Sequence, residues 1–121
     1  MTDNEQVVIM YIPCGSDDEA ASIARALLRE SLIACANIYP SRSLYRWQGE
    51  VADEMEYVLF AKTTASQTEA ASRRAEELHS YEVPAIVTIR ADRVNDAYAR
   101  WVIGEVAAGL PFSSAATGSE G

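Results

Sequence analysis

Along the chain the spacing of hydrophobic residues switches between that of a strand and that of a helix, and each switch predicts an element. Val7-Val8-Ile9-Met10-Tyr11-Ile12 is a continuous apolar run, rich in β-branched residues, too short for a helix and closed by Pro13 and Gly15, which predicts a central strand. Ser16-Asp17-Asp18-Glu19 has the Ser-x-x-Glu spacing of a capping box, in which the serine oxygen accepts an orphan amide and the glutamate reaches back. Behind it Ala20, Ile23, Ala24, Leu27 and Leu28 recur at three and four, the stripe of an amphipathic helix ending near Ser31, with Arg25, Arg29 and Glu30 toward solvent. From Ile33 the period falls to two, through Cys35, Asn37 and Tyr39 to Leu44, Tyr45 and Trp47. Pro40 and Ser41 interrupt it, which predicts a long strand bent or bulged near its middle. Gln48-Gly49 supplies a turn in which glycine can take positive φ. Glu50 to Thr63 then returns, with Met55, Tyr57, Leu59 and Ala61 alternating against Glu54, Glu56, Val58 and Phe60.

Ser66-Gln67-Thr68-Glu69 repeats the capping-box spacing and predicts a second helix to about His79, with Ala71, Ala75 and Leu78 as its apolar stripe. Val83 to Ile89, started by Pro84, reads as a fourth strand, and Asn95 as the cap of a third helix carrying Tyr98, Trp101 and Val102. Strand, helix, strand, strand, helix, strand is the βαββαβ order. Right-handed crossovers fold it into a four-stranded antiparallel sheet with two helices on one face, an α+β, ferredoxin-like arrangement with an extra C-terminal helix. The other face is left bare. The long returning strand exceeds the usual five or six residues, so its tip should project past its neighbours and meet another subunit, commonly in a closed ring.

The length of 121 residues fits one domain, here 1–110, followed by a Ser-, Ala- and Gly-rich segment 111–121 expected to be flexible. Eighteen acidic against ten basic residues give a net charge of -8, which repels phosphate backbones and anionic lipid and so argues against nucleic-acid and membrane partners. No apolar stretch approaches the ~18 residues of a membrane helix. The N-terminus lacks the basic start and greasy centre of a secretory signal, which predicts a cytoplasmic protein. Two cysteines, Cys14 and Cys35, are too few for a disulfide scaffold, and with a single histidine, His79, they do not make a structural zinc site.

Five blocks carry a resemblance to a known family: Leu32-Ile33-Ala34-Cys35-Ala36-Asn37-Ile38, Ser43-Leu44-Tyr45-Arg46-Trp47-Gln48-Gly49-Glu50, Lys62-Thr63-Thr64, His79-Ser80-Tyr81-Glu82-Val83-Pro84-Ala85-Ile86 and Tyr98-Ala99-Arg100-Trp101. In order and spacing, over about Val7 to Val106, the chain resembles the CutA family, the divalent-cation tolerance proteins. The resemblance implies the ferredoxin-like fold, a homotrimer whose long hairpins pair across subunits, and kinship in architecture with the PII signalling proteins. The chain departs from the family pattern at Ser80, where proline is usual, and at Ala85, where glutamate is usual.

The resemblance also carries a metal reading, in which His79 gives an imidazole to Cu(II) or another divalent cation and Cys14, Glu82 or a neighbouring subunit's carboxylate completes the shell, since copper favours nitrogen and sulfur donors. The competing reading places His79 as a helix C-terminal residue stabilised by the dipole. Cys14, beside Pro13 and Gly15 and just before a helix N-terminus, reads as an exposed thiol with a lowered pKa; Cys35 reads as a packed hydrophobe. Arg46, Trp47, Glu50, Lys62, Tyr81 and Trp101, with Tyr45 and Glu56, form a second constellation. They read either as interface residues or as an intersubunit cleft in which Arg46 and Lys62 hold a small anion, the PII-like signalling alternative. No nucleophile is paired with a base and an orienting third residue, so the sequence does not read as an enzyme.

Overall fold

Seven elements follow in the order β1 (Val7–Cys14), α1 (Asp17–Arg29), β2 (Cys35–Trp47), β3 (Glu50–Thr64), α2 (Thr68–Leu78), β4 (Val87–Arg90) and α3 (Asp96–Ala108) in the computed structural model, which describes residues 5–108. The segment 111–121, expected to be flexible, lies outside the described residues. The sheet order is β2-β3-β1-β4, with every neighbouring pair antiparallel, which is the ferredoxin-like arrangement with one helix added.

Strand alternation sorts the residues into two layers. Met10, Ile12 and Cys14 of β1 join Leu59 and Ala61 of β3 against Ala20, Ile23, Ala24 and Leu27 of α1 and Ala71 and Ala75 of α2; this is the main core. Val7, Ile9, Tyr11 and Pro13 alternate to the opposite face. There Val7 packs on Ala99 and Val102 of α3, so the extra helix covers the base of the face that the pattern left bare. Beyond α3 that face carries Tyr11, Phe60 and Tyr39, whose rings meet edge to face at 5.7 Å.

The ends of α1 follow from local chemistry. Ser16 Oγ accepts the Glu19 amide at 3.0 Å, and Asp17, Asp18 and Glu19 place negative charge on the positive end of the helix dipole. At the other end the Leu32 amide donates to the Leu27 carbonyl at 2.9 Å and the Ser31 amide to that of Leu28 at 3.0 Å, a Schellman closure with Ser31 at φ 60°.

Three expectations are corrected. β2 passes through Pro40 without a bulge, since its register with β3 runs one for one from Cys35↔Lys62 to Trp47↔Glu50. As the outer strand, β2 directs alternate amides away from β3, and proline there costs no ladder bond. The helix after β3 is not capped by Ser66: a 3-10 turn, Ala65–Gln67, comes first, Ser66 Oγ meets Thr64 Oγ1 at 3.2 Å, and Thr68 Oγ1 donates to the Ala65 carbonyl at 2.8 Å. β4 is four residues, not seven. Val87 pairs with Tyr11, so two further pairs would set Ala85 against Pro13, with Pro84 next in line, and neither proline has an amide to give.

β1 pairs with β3 only from Tyr57 to Thr64, so residues 41–47 and 50–56 form a two-stranded arm beyond the rest of the sheet. At roughly 3.3 Å per residue it extends about 23 Å. Its turn uses positive φ at both central residues, 51° at Gln48 and 82° at Gly49, the mirror-image geometry whose twist matches antiparallel strands.

Candidate functional site

The end of β1, the start of α1 and the segment after α2 meet in one corner. Glu19 is its hub. Its Oε1 accepts the Gly15 amide at 3.0 Å, and its Oε2 accepts the Ser80 amide at 2.7 Å and lies 3.7 Å from His79 Nδ1. Burial pushes the Glu19 carboxyl up, but the bonds from Ser80 and Gly15, with His79 nearby, outweigh it and hold the group below the usual glutamate range. The capping box is therefore half formed: the glutamate reaches past Ser16 to Gly15 and across to the loop after α2.

His79 ends α2 with its side chain fully buried. Its Nε2 lies 2.8 Å from the Pro13 carbonyl, which can only accept, and its Nδ1 takes the Tyr81 amide at 3.2 Å. These partners select the tautomer with the proton on Nε2 and leave neither nitrogen with a free lone pair. Cys14 is equally closed. Its side chain is in the main core, its thiol donates to the Ile12 carbonyl at 3.5 Å, and burial, with the Glu19 and Glu56 carboxylates nearby, pushes it up to about 12. The expected exposed, easily ionised thiol is overturned: burial outweighs the nearby helix terminus.

Next to this corner, on the sheet face away from α1 and α2, lies a groove of about 840 Å³. Tyr11, Tyr45, Trp47 and Tyr81 line it together with Glu54, Glu56 and Glu82. Tyr81 Oη donates to Glu56 Oε2 at 2.6 Å and Tyr45 Oη to Glu54 Oε1 at 2.9 Å. Burial and Glu56 raise the Tyr81 hydroxyl above its ordinary range, and the bond to Glu54 raises that of Tyr45, so both stay protonated donors. Glu56 is only 7% exposed.

The residues singled out in the sequence are thus divided. Trp47, Tyr81 and Glu82 come together in the groove, while Glu50 follows the turn at the tip of the arm. Arg46 and Lys62 do not converge: Arg46 pairs with Val51 at the tip, on the helix-side face, and Lys62 pairs with Ile9 at the base of the opposite face, bonded to Asn37. The anion cleft expected of that pair is not formed by one chain. Trp101 sits on α3, stacked on Tyr98 at 5.8 Å. His79, Glu82 and Cys14 are not brought together as ligands, and the described residues contain no group of three His, Cys, Asp or Glu side chains that could hold a metal ion. A Cu(II) ion would have to displace the Pro13 and Tyr81 backbone partners from His79 and ionise a buried thiol, so this donor set does not fit it. The sequence reading passed over Glu19, taken only as a cap, and Glu54. The available signal was the Glu54-x-Glu56 spacing, which puts two carboxylates on one face of a strand.

The family model described as CutA1 divalent ion tolerance protein matches residues 8–105 of the chain. The chain belongs to the CutA family. It is 41% identical over 99 residues to the divalent-cation tolerance protein CutA of Thermus thermophilus, covering 81% of this chain and 94% of that one. The crystal structure of CutA1 from Pyrococcus horikoshii superposes with a TM-score of 0.78 at 37% identity, covering 81% of this chain and 96% of the other. A structure described as the periplasmic divalent cation tolerance protein CutA from Archaeoglobus fulgidus gives 0.81 at 30%, covering 83% and 98%. No helix among the described residues is long and apolar enough to cross a membrane.

Proposed function

We propose that this CutA chain acts as a non-enzymatic, self-associated protein of divalent-cation tolerance, in three copies, in the cytoplasm. The observation that carries the assembly is the projecting arm: Leu44, Val51 and Met55 on its helix-side face are 61%, 67% and 55% exposed, and Tyr39, Val87, Ile89 and Trp101 are exposed elsewhere. A small acidic protein that spreads this much apolar surface over a hairpin and a short edge strand gains by burying it against copies of itself. The cation role is supported by the names of the relatives and by an acidic surface that concentrates counter-ions. Because His79 and Cys14 are engaged, nothing singles out copper among the divalent ions. Exposed carboxylates such as Glu82 are the groups available for weak contacts. A binding role rather than catalysis is supported by the same facts: the thiol is held protonated and the imidazole has no free nitrogen. Free Cys14 and Cys35 suit a reducing compartment. The PII-like alternative has less support: the matching family and relatives are divalent-cation tolerance proteins, and Arg46 and Lys62 would have to meet across subunits.

Complementation tests the reading. Cells lacking the protein should grow poorly at raised Cu(II) or Zn(II), the wild type should restore growth, and Leu44→Lys, which opposes burial of the arm, should not. Light scattering of the wild type should give about three times the 13.2 kDa chain. A 13 kDa species at micromolar concentration, or full rescue by a monomeric variant, would overturn it.

A further inference from the structure

The segment between α2 and β4, residues 79–86, has no helix or strand of its own. Its amides at Ser80 and Tyr81 are held by side chains: that of Ser80 by Glu19 Oε2 at 2.7 Å, and that of Tyr81 by His79 Nδ1 at 3.2 Å. The second bond needs a lone pair on Nδ1, and Nε2 must carry the proton because the Pro13 carbonyl, 2.8 Å away, can only accept. The arrangement therefore exists only with a neutral ring. A second proton, placed on Nδ1, would face the Tyr81 N–H donor against donor, and one of the two must turn away. The new N–H has an acceptor at hand: Glu19 Oε2 lies 3.7 Å from Nδ1, and a carboxylate oxygen can take it beside the Ser80 amide. The ring is fully buried and fixed at its other nitrogen, so the amide, on the irregular segment, is the partner that yields.

The ionisable groups around the ring come from each element packed on it. Glu19 comes from α1, and Cys14, next to Pro13, from β1. Tyr81 comes from the segment itself, its ring centroid 4.7 Å from that of His79, and Glu56 of β3 stands behind it, accepting the Tyr81 hydroxyl at 2.6 Å. Burial, then the neighbouring carboxylates, keeps Cys14 and Tyr81 protonated, and the bonds from Ser80 and Gly15 outweigh burial and keep Glu19 ionised below its ordinary value. That leaves the imidazole, a group that in general changes charge between about pH 5 and 8. Tyr81 carries the consequence outward, because Glu56 stands where the arm leaves the sheet.

We propose that His79 is an acid-operated latch: while neutral it holds Tyr81 against Glu56 at the root of the arm, and on taking a second proton from solvent it bonds Glu19 instead and releases the Tyr81 segment. The latch needs no metal ion and stands apart from the divalent-cation role. It acts inside the chain, whether or not the sheet face is covered by another copy.

His79 is the single histidine, so ring-15N labelling of the full-length, assembled protein gives one pair of ring signals. At pH 8 they should show the proton on Nε2 and a bare Nδ1. Titration to pH 5 should protonate Nδ1 in one step. Over that step the hydrogen-exchange protection of the Tyr81 amide, corrected for the intrinsic effect of pH, should fall at least about tenfold, while that of Leu59 in β3 stays unchanged. In Glu19→Gln, which can still accept backbone amides, the step should move to lower pH, because the cationic ring loses its carboxylate partner. In His79→Gln, which does not titrate, the Tyr81 step should vanish. The wild-type measurements decide even if His79→Gln does not fold. A proton on Nδ1 at pH 8, a ring still neutral at pH 5, or protonation that leaves Tyr81 protection unchanged would overturn the proposal. So would an unmoved step in Glu19→Gln or a Tyr81 step that persists in His79→Gln.

Discussion

Cys14 lies three residues before the first residue of α1, where the helix dipole alone would favour thiolate, yet its side chain is sealed in the core beside two carboxylates and its thiol is pushed up to about 12. Its reactivity should therefore depend on unfolding. In a thiol-labelling assay at pH 8, Cys35→Ser protein should show no rapid reaction in the native state and one equivalent in denaturant; a fast native reaction of Cys14 would contradict the buried placement. Glu19, read as a cap, ties two loops together through backbone amides. Glu19→Ala should cost about 2 kcal/mol, since bonds to a charged acceptor contribute about 1.5 to 3 kcal/mol each but water compensates part of the loss. The folded carboxyl sits below its ordinary 4.5, so its stabilisation is present above that value and is lost as the pH falls through the lower folded value. Urea melts from pH 6 to pH 3 should steepen for the wild type relative to Glu19→Gln, and parallel curves would refute the assignment.

Among the elements, the arm was readable because two signals agreed: a period of two on both sides of Gln48-Gly49, and a turn pair with glycine where positive φ is needed. Residue alternation likewise set Leu59 and Ala61 apart from Val58 and Phe60, and the first pair lies in the main core as the second does not. The misreadings at Pro40, Ser66 and Val83 share a cause. Whether a proline breaks a strand, or a serine caps a helix, depends on which neighbour faces the amide, and that is fixed by sheet order rather than by local spacing. The site was less legible for the same reason. His79 has the right type for a metal ligand, but its Nε2 proton is committed to the Pro13 carbonyl, far away in sequence, and its Nδ1 lone pair to the Tyr81 amide. The turn offers a test at this scale. Gln48 holds φ at 51°, where asparagine is favoured over glutamine, so Gln48→Asn should raise stability by about 0.5 kcal/mol in denaturant melts at fixed protein concentration. A loss of stability would show that the Gln48 side chain contributes more than its backbone strain costs.

At the scale of the whole molecule two forces oppose each other in the proposed assembly. Each copy brings a net charge of -8, so three copies bring about -24 into one particle, and like charges within a Debye length, about 8 to 10 Å at ordinary salt, resist association. Against this, the exposed Leu44, Val51 and Met55 of each arm would each contribute about 1 kcal/mol on burial, which salt does not screen away. If the apolar term holds the copies together, raising sodium chloride from about 20 to 500 mM removes most of the repulsion and leaves the attraction intact. Association should then tighten with salt, read as a lower concentration of half-dissociation in sedimentation. Were the copies instead joined by ion pairs between subunits, the same salt would weaken them. The variant Met55→Lys separates the cases further: it adds a charge of the sign the assembly lacks, so on electrostatics alone it would strengthen association, whereas burial of an apolar arm requires that it weaken it. Dissociation of Met55→Lys at a concentration where the wild type stays assembled is the outcome expected of an apolar seam.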